Sequence, residues 1–208
     1  MILNMYQYVS KDERNSLAKA CEDIILDVQK IVKDYFTFEY QLIGSGEKRL
    51  ITRNGESGPF DLDYNFILKK DKQELSSYPE KIKNIFINAF NEVNPKLSFK
   101  YASNSTSVIT SKIVLDGKLE FSFDVAIMIE GNNGNLFKLI YEKTSGRYLW
   151  NEVRKTKNYS SKFKRIKDEG YWEDFKERYL YNKNMHLTRN EEMPSFSVFL
   201  ETLNEYFQ

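Results

Sequence analysis

The sequence predicts an α/β protein of the α+β kind: a mixed β-sheet of about five to six strands with helices on one side, followed by a small, mainly helical C-terminal part. Three observations carry this expectation. Leu17, Cys21, Ile24, Ile25, Val28, Ile31, Val32 and Tyr35 recur along one helical stripe. Asp61–Leu68 and Leu119–Met128 alternate apolar and polar residues with the period of a half-buried strand. Asp116-Gly117, between two further alternating runs, supplies the positive φ angles of a type I′ hairpin turn.

Taken in order, Ser10 and Glu13 form a capping box that starts the first long helix. Thr37–Ile43, with Phe38, Tyr40 and Leu42 on one face, reads as a strand that delivers the chain to a Gly44-Ser45-Gly46 turn. After the strand at 61–68, Pro79 opens a helix whose inner face is Ile82, Ile85, Phe86, Ala89, Phe90 and Val93, stopped by Asn94-Pro95. A strand is expected over Leu97–Tyr101, a hairpin over Ser107–Leu115 and Lys118–Ile129, and, after a turn at Gly131–Gly134, a strand over Leu136–Tyr141. The last third reads as a basic helix from Ser160 to Glu169 broken at Gly170, a helix over Tyr171–Tyr181, and a terminal helix from Pro194-Ser195 carrying Phe196, Phe199, Leu200, Leu203 and Phe207.

With 208 residues, 41% hydrophobic and 29% charged, the chain is long enough for a proper core, and we expect a core over residues 1–145 with a basic helical part, 146–208, packed on it. No apolar run approaches the length of a membrane span, and Met1-Ile2-Leu3-Asn4 lacks the basic start and apolar middle of a secretory signal, so a cytoplasmic protein is expected. The single cysteine, Cys21, lies in the helical stripe, where a buried structural thiol is the natural reading. His186 is the only histidine and has no cysteine near it in sequence, which offers no zinc site. A serine- or cysteine-nucleophile hydrolase is disfavoured, because no Gly-x-Ser-x-Gly element is present.

The chemistry concentrates in the two alternating strands. Asp61, Asp63 and Asn65 share one face of the first, and Glu120, Ser122, Asp124 and Ala126 one face of the second. Adjacent carboxylates without a basic neighbour repel, and a divalent cation is the plainest relief. If the strands are neighbours, Asp61, Asp63 and Asp124 suit Mg²⁺, which favours a few carboxylates together with substrate phosphates. An EF-hand loop does not fit, because Asn65-Phe66-Ile67-Leu68 runs on as strand; a pair of glycosidase carboxylates is harder to exclude from acids alone.

Gly44-Ser45, then Asp61-Leu62-Asp63, then Asp124 on a later strand resembles the nucleotidyltransferase superfamily of DNA polymerase β, over roughly residues 10 to 145. The separation of Asp63 from Asp124 and the long first helix are most similar to the branch of the oligoadenylate synthetases and bacterial cyclic-oligonucleotide synthases. The interval from Ser45 to Asp61, with Gly55, Gly58 and Pro59, is longer than the family's and reads as an inserted loop. The resemblance implies the nucleotidyltransferase fold and Mg²⁺- or Mn²⁺-dependent transfer of a nucleoside monophosphate from an NTP to an acceptor hydroxyl, with pyrophosphate released. It implies metal binding by Asp61, Asp63 and Asp124, and phosphate contacts from Gly44, Ser45 and Gly46, with Lys48, Arg49 and Arg53 within reach. Tyr141, Tyr148 and Trp150 are candidates to stack on the base. The rival reading is a catalytically silent nucleotide- or RNA-binding module on the same fold.

Net charge is +1, yet residues 143–167 hold nine basic residues (Lys143, Arg147, Arg154, Lys155, Lys157, Lys162, Lys164, Arg165, Lys167) against Glu152 alone. This +8 tract leaves −7 for the remainder. It reads either as an RNA- or triphosphate-contacting surface or as a solvated helical face.

Overall fold

The computed structural model describes residues 5–153 and 159–207, apart from the side chain of Leu97. Arg154, Lys155 and Lys157 of the basic tract, and the Met1–Asn4 start, lie outside the described residues. The chain forms two compact units: the described residues of Ser10–Lys48 and Pro59–Val153 make the larger, and those of Met1–Val9, Arg49–Gly58 and Arg154–Gln208 the smaller. The sequence-based boundary at residue 145 differs from this division, in which the first nine residues and the 49–58 interval join the C-terminal helices.

The larger unit is a seven-stranded mixed sheet with two long helices among its described residues. Helix α1 (Lys11–Val32) starts at Ser10, whose Oγ accepts from the Glu13 amide at 3.2 Å, and buries Cys21, Ile24, Ile25, Val28 and Val32. Burial pushes the Cys21 thiol well above its ordinary range, as a structural cysteine requires. Strand β2 (Phe36–Ile43) pairs antiparallel with β4 (Phe60–Asp71), and β4 pairs parallel with β7 (Lys118–Glu130). Strand β6 (Ile109–Leu115) joins β7 through Asp116 (φ 49°) and Gly117 (φ 76°), the expected two-residue hairpin. Strand β5 (Ser103–Asn104) lies at the edge beyond β6.

Strand β8 (Leu136–Glu142) pairs with the last residues of β7, Met128–Glu130, and then with β9 (Arg147–Glu152). Because β4 occupies one edge of β7 as far as Met128, β6 and β8 share the other, with Ala126 and Ile127 between their ladders. Helix α3 (Pro79–Val93) begins with proline, whose missing N–H costs nothing there, and buries Ile82, Phe86, Ala89, Phe90 and Val93. Phe66 stacks on Phe38 and Phe90, and Phe86 packs among Phe36, Phe38 and Phe66, so aromatic rings fill the helix-side face of β2 and β4. Lys83 is buried on α3 and donates from Nζ to the Val108 carbonyl at 2.9 Å, at the start of β6.

Two sequence expectations change here. Leu97–Tyr101 is not a strand: Asn94–Leu97 forms a 3₁₀ turn and Ser98 takes φ 65°, which breaks extended geometry although Phe99 is buried. Arg147–Glu152, assigned to the helical part, is instead β9.

In the smaller unit, β1 (Tyr6–Tyr8) pairs with β3 (Thr52–Asn54), so the interval read as an inserted loop contributes a strand. Helices α4 (Tyr159–Asp168), α5 (Trp172–Thr188) and α6 (Ser195–Glu205) surround a cluster of Leu50, Ile166, Phe175, Tyr179, Val198, Phe199 and Leu203. Gly170, at φ 82°, separates α4 from α5. His186 bridges Glu191 through Nδ1 and Glu201 through Nε2 (2.7 Å), and these two bonds hold its pKa above the ordinary value.

Phe66→Ala should destabilise the larger unit by about 3–5 kcal/mol, read as a lowered denaturation midpoint. The His186 clamp stabilises the fold below the unfolded-state pKa of about 6.5 and is lost as pH rises through the higher folded value. His186→Gln should therefore flatten the fall in melting temperature between pH 6 and pH 9.

Candidate metal and nucleotide site

Register, not sequence proximity, assembles the acids. Asp63 of β4 stands opposite Asp124 of β7 in the parallel ladder, with Asp61 opposite Ser122. Alternation puts all three carboxylates on the face opposite the aromatic core. Thr110 of β6 pairs with Asp124 on the same rung, and Ile43 of β2 with Asp63.

The turn after β2 begins a one-turn helix, α2 (Gly44–Lys48). Gly44 has φ 66°, and a Cβ placed there would stand 2.8 Å from Asp63 Oδ2, so only glycine lets the turn lie against this carboxylate. Gly46 is glycine for another reason: a Cβ would meet Leu42 and Leu62 side chains at 2.9 and 3.0 Å. Ser45, between them, is half-buried. Lys48 is mostly buried and turns its Nζ back to the Gly44 carbonyl (3.3 Å) and to Glu47 (3.2 Å). Arg49 is exposed with φ 58°, ends the turn and belongs to the smaller unit, as does Arg53, which donates to the Glu56 carbonyl at 3.2 Å.

The acid face carries unfavourable electrostatics. Burial, then Asp61, then Asp124 push the Asp63 carboxyl up to about 6, against partial relief from Lys138. Asp124 Oδ1 is buried without a hydrogen-bond partner among the described residues. Three carboxylates, one with an orphaned buried oxygen, are the donor set a hard divalent ion takes. No group of three or more His, Cys, Asp or Glu side chains among the described residues converges closely enough to grip an ion as it stands.

Lys138 escaped the sequence reading. It sits in β8 opposite Met128, whose parity with Asp124 places both on the acid face. A lysine inside an apolar run, Leu136-Phe137-Lys138-Leu139-Ile140, was the available signal. Conversely, Tyr141, Tyr148 and Trp150 pair with the opposite parity, on the face of buried Leu139, and Trp150 donates from Nε1 to the Ser76 carbonyl at 2.8 Å. The register thus points these three rings away from the acids. On α4, Lys164 pairs with Asp168 and Arg165 with Glu169, while Lys162 and Arg165 lie over Phe207 and Lys167 over Phe163 and Trp172. The described helical part of the basic tract is largely engaged within its own unit.

Neither a family model nor a curated protein sequence matches the chain. Solved structures do. The STING-associated CdnE c-di-GMP synthase of Capnocytophaga granulosa superposes with a TM-score of 0.62 at 20% identity, over 95% of this chain and 61% of that one. The Vibrio cholerae DncV cyclic AMP-GMP synthase bound to nonhydrolysable GTP gives 0.68 at 12% identity, over 95% and 67%. E. coli MS115-1 CdnC with ATP gives 0.58 at 14%, over 96% and 61%. The chain therefore has the nucleotidyltransferase fold of the cyclic-dinucleotide synthases, and spans about three fifths to two thirds of the length of these structures.

Asp63's raised pKa means that its ionisation opposes folding: stability is greatest below about pH 4 and declines as pH rises through about 6. The cost is on the order of 2 kcal/mol for this partly exposed group. Asp63→Asn should raise the melting temperature at pH 7.5 without added metal by about 4 °C. Added Mg²⁺ should raise that of the wild type and leave the variant unchanged.

Proposed function

We propose that this chain is a metal-dependent nucleotidyltransferase that moves a nucleoside monophosphate from an NTP to an acceptor hydroxyl and releases pyrophosphate. The observation that carries the reading is the in-register pairing of Asp63 with Asp124, with Asp61 on the same face and the Gly44 turn against Asp63 Oδ2. The nucleotide-bound neighbours of the same fold support an NTP as substrate.

In this reading Asp61, Asp63 and Asp124 hold divalent cations, Mg²⁺ or Mn²⁺, which supply Lewis acidity toward the acceptor hydroxyl and neutralise charge on the leaving pyrophosphate. The Ser45 hydroxyl and the amides of Gly44–Gly46 bind phosphate oxygens. Asp124, whose Oδ1 has no other partner among the described residues, accepts the acceptor's proton.

The retained acid set favours turnover over silent binding, since binding alone does not need all three carboxylates. The neighbours' own products, cyclic dinucleotides, make a second nucleotide the first acceptor to try. Each labelled NTP, singly and in pairs, should be incubated with Mg²⁺ or Mn²⁺. The wild type is expected to release pyrophosphate and form a labelled product, and Asp61→Ala/Asp63→Ala to fall to background. Nucleotide binding without pyrophosphate release under all combinations would overturn the enzymatic reading.

A further inference from the structure

Resting on that reading, we propose that Lys138 is the positioning residue for the acceptor, its ammonium holding a phosphate that the acceptor carries. Four observations lead here. Lys138 lies on the acid face of the sheet, brought there by its pairing with Met128. It is half-buried, yet makes no hydrogen bond and no ion pair with any described residue. Burial lowers its pKa while Asp63 and Asp124 oppose that shift, in keeping with its place on their face of the sheet. Finally, the contrast with Lys83 is informative: that lysine is fully buried and committed to the Val108 carbonyl, a structural role Lys138 lacks.

Its position along the strands assigns it to the acceptor instead of the NTP. Gly44 follows Ile43, which pairs with Asp63, and the α2 turn continues toward the Leu62 and Asp61 end of β4. Lys138 is on the Met128 rung, at the other end, about 13 Å along β7 from the Asp124 rung at strand rise. In-line displacement at phosphorus requires the attacking oxygen and the leaving pyrophosphate to lie on opposite sides. With the triphosphate at the Gly44–Gly46 turn, the acceptor enters from the Lys138 end. Asn65 and Thr110 also show polar atoms on this face, on the rungs of Ala126 and Asp124. A half-buried ammonium with no hydrogen bond or ion pair among the described residues suits an anion there, and an acceptor with its own phosphate provides one.

The test uses the full chain and nonhydrolysable α,β-methylene triphosphates of adenosine and guanosine with Mg²⁺, followed by calorimetry. The wild type is expected to bind two equivalents, one at each side of the acids. Lys138→Met should retain one site at unchanged affinity and weaken the other at least tenfold, and Lys138→Arg should restore most of it. Circular dichroism checks that the variants are folded. Two sites of wild-type affinity in Lys138→Met, or one site in the wild type that the substitution leaves alone, would overturn the inference without touching the parent reading. No binding by the wild type would overturn both. In turnover, Lys138→Met should raise KM for a nucleotide acceptor with little change in kcat, and should spare a nucleoside acceptor lacking phosphate. Equal loss for both acceptors would mean that Lys138 merely offsets the acids' charge, and would also overturn the inference.

Discussion

The parallel, in-register pairing of β4 with β7 is the constraint from which the rest follows. It brings Asp63 and Asp124 side by side at strand separation, where backbone hydrogen bonds forbid their moving apart as main chain. The arrangement is unfavourable for ionised Asp63, whose carboxyl is pushed up by burial first, then by Asp61 and Asp124. What enforces it is the other face. Leu62, Tyr64 and Phe66 of β4, with Phe121, Phe123, Val125 and Ile127 of β7, are buried there, and Phe86 and Phe90 of α3 pack on Phe66 and Phe123. A slip of one residue would turn the carboxylates into this aromatic layer and the rings into the site, at a cost far above that of repelling acids. The core fixes the register, and the register fixes the site.

The same logic explains why the acid face can host chemistry. The two long helices of the larger unit, α1 and α3, contact each other, and their buried residues belong to the core side of the sheet. The edge of β7 is shared by β6 and β8 with a break at Ala126 and Ile127, and Lys83 closes the helix-side end of that break through Val108. The break lets β8 present a side chain from a strand that is not in line with β6. Lys138 is that side chain. Its charge opposes the repulsion felt by Asp63 and Asp124 without forming an ion pair with either.

Periodicity made much of this legible. Both acidic strands, the first helix with its Ser10 cap, the α3 boundaries at Pro79 and Asn94-Pro95, and the Asp116-Gly117 hairpin follow from local patterns that tertiary structure does not override. Pairing partners are another matter. Strand β3 is three residues long, sits in an interval with two glycines and a proline, and gains its identity from Tyr6–Tyr8, more than forty residues earlier. No local rule exposes such a partner. Strand β9 was masked by charge: Arg147 and Glu152 bracket Tyr148-Leu149-Trp150, and the count of basic residues drew the segment into the helical part. Phe99 shows the opposite failure, an apolar residue buried from a turn and not from a strand.

Charge, finally, was most conspicuous where pairing within its own unit makes it least available for a ligand. The basic tract dominates the sequence by number, but its described helical members are spent on i,i+4 carboxylates and on aromatic faces within the smaller unit, interactions that are weak singly and leave little unsatisfied. Lys138 contributes one charge in an apolar strand and is invisible to any count along the chain. Its energetic weight comes from the low dielectric of a half-buried position and from the absence of a partner among the described residues, both properties of the folded sheet. A cation's capacity to bind depends on what it has not already bound, and that is decided by strand register, not composition.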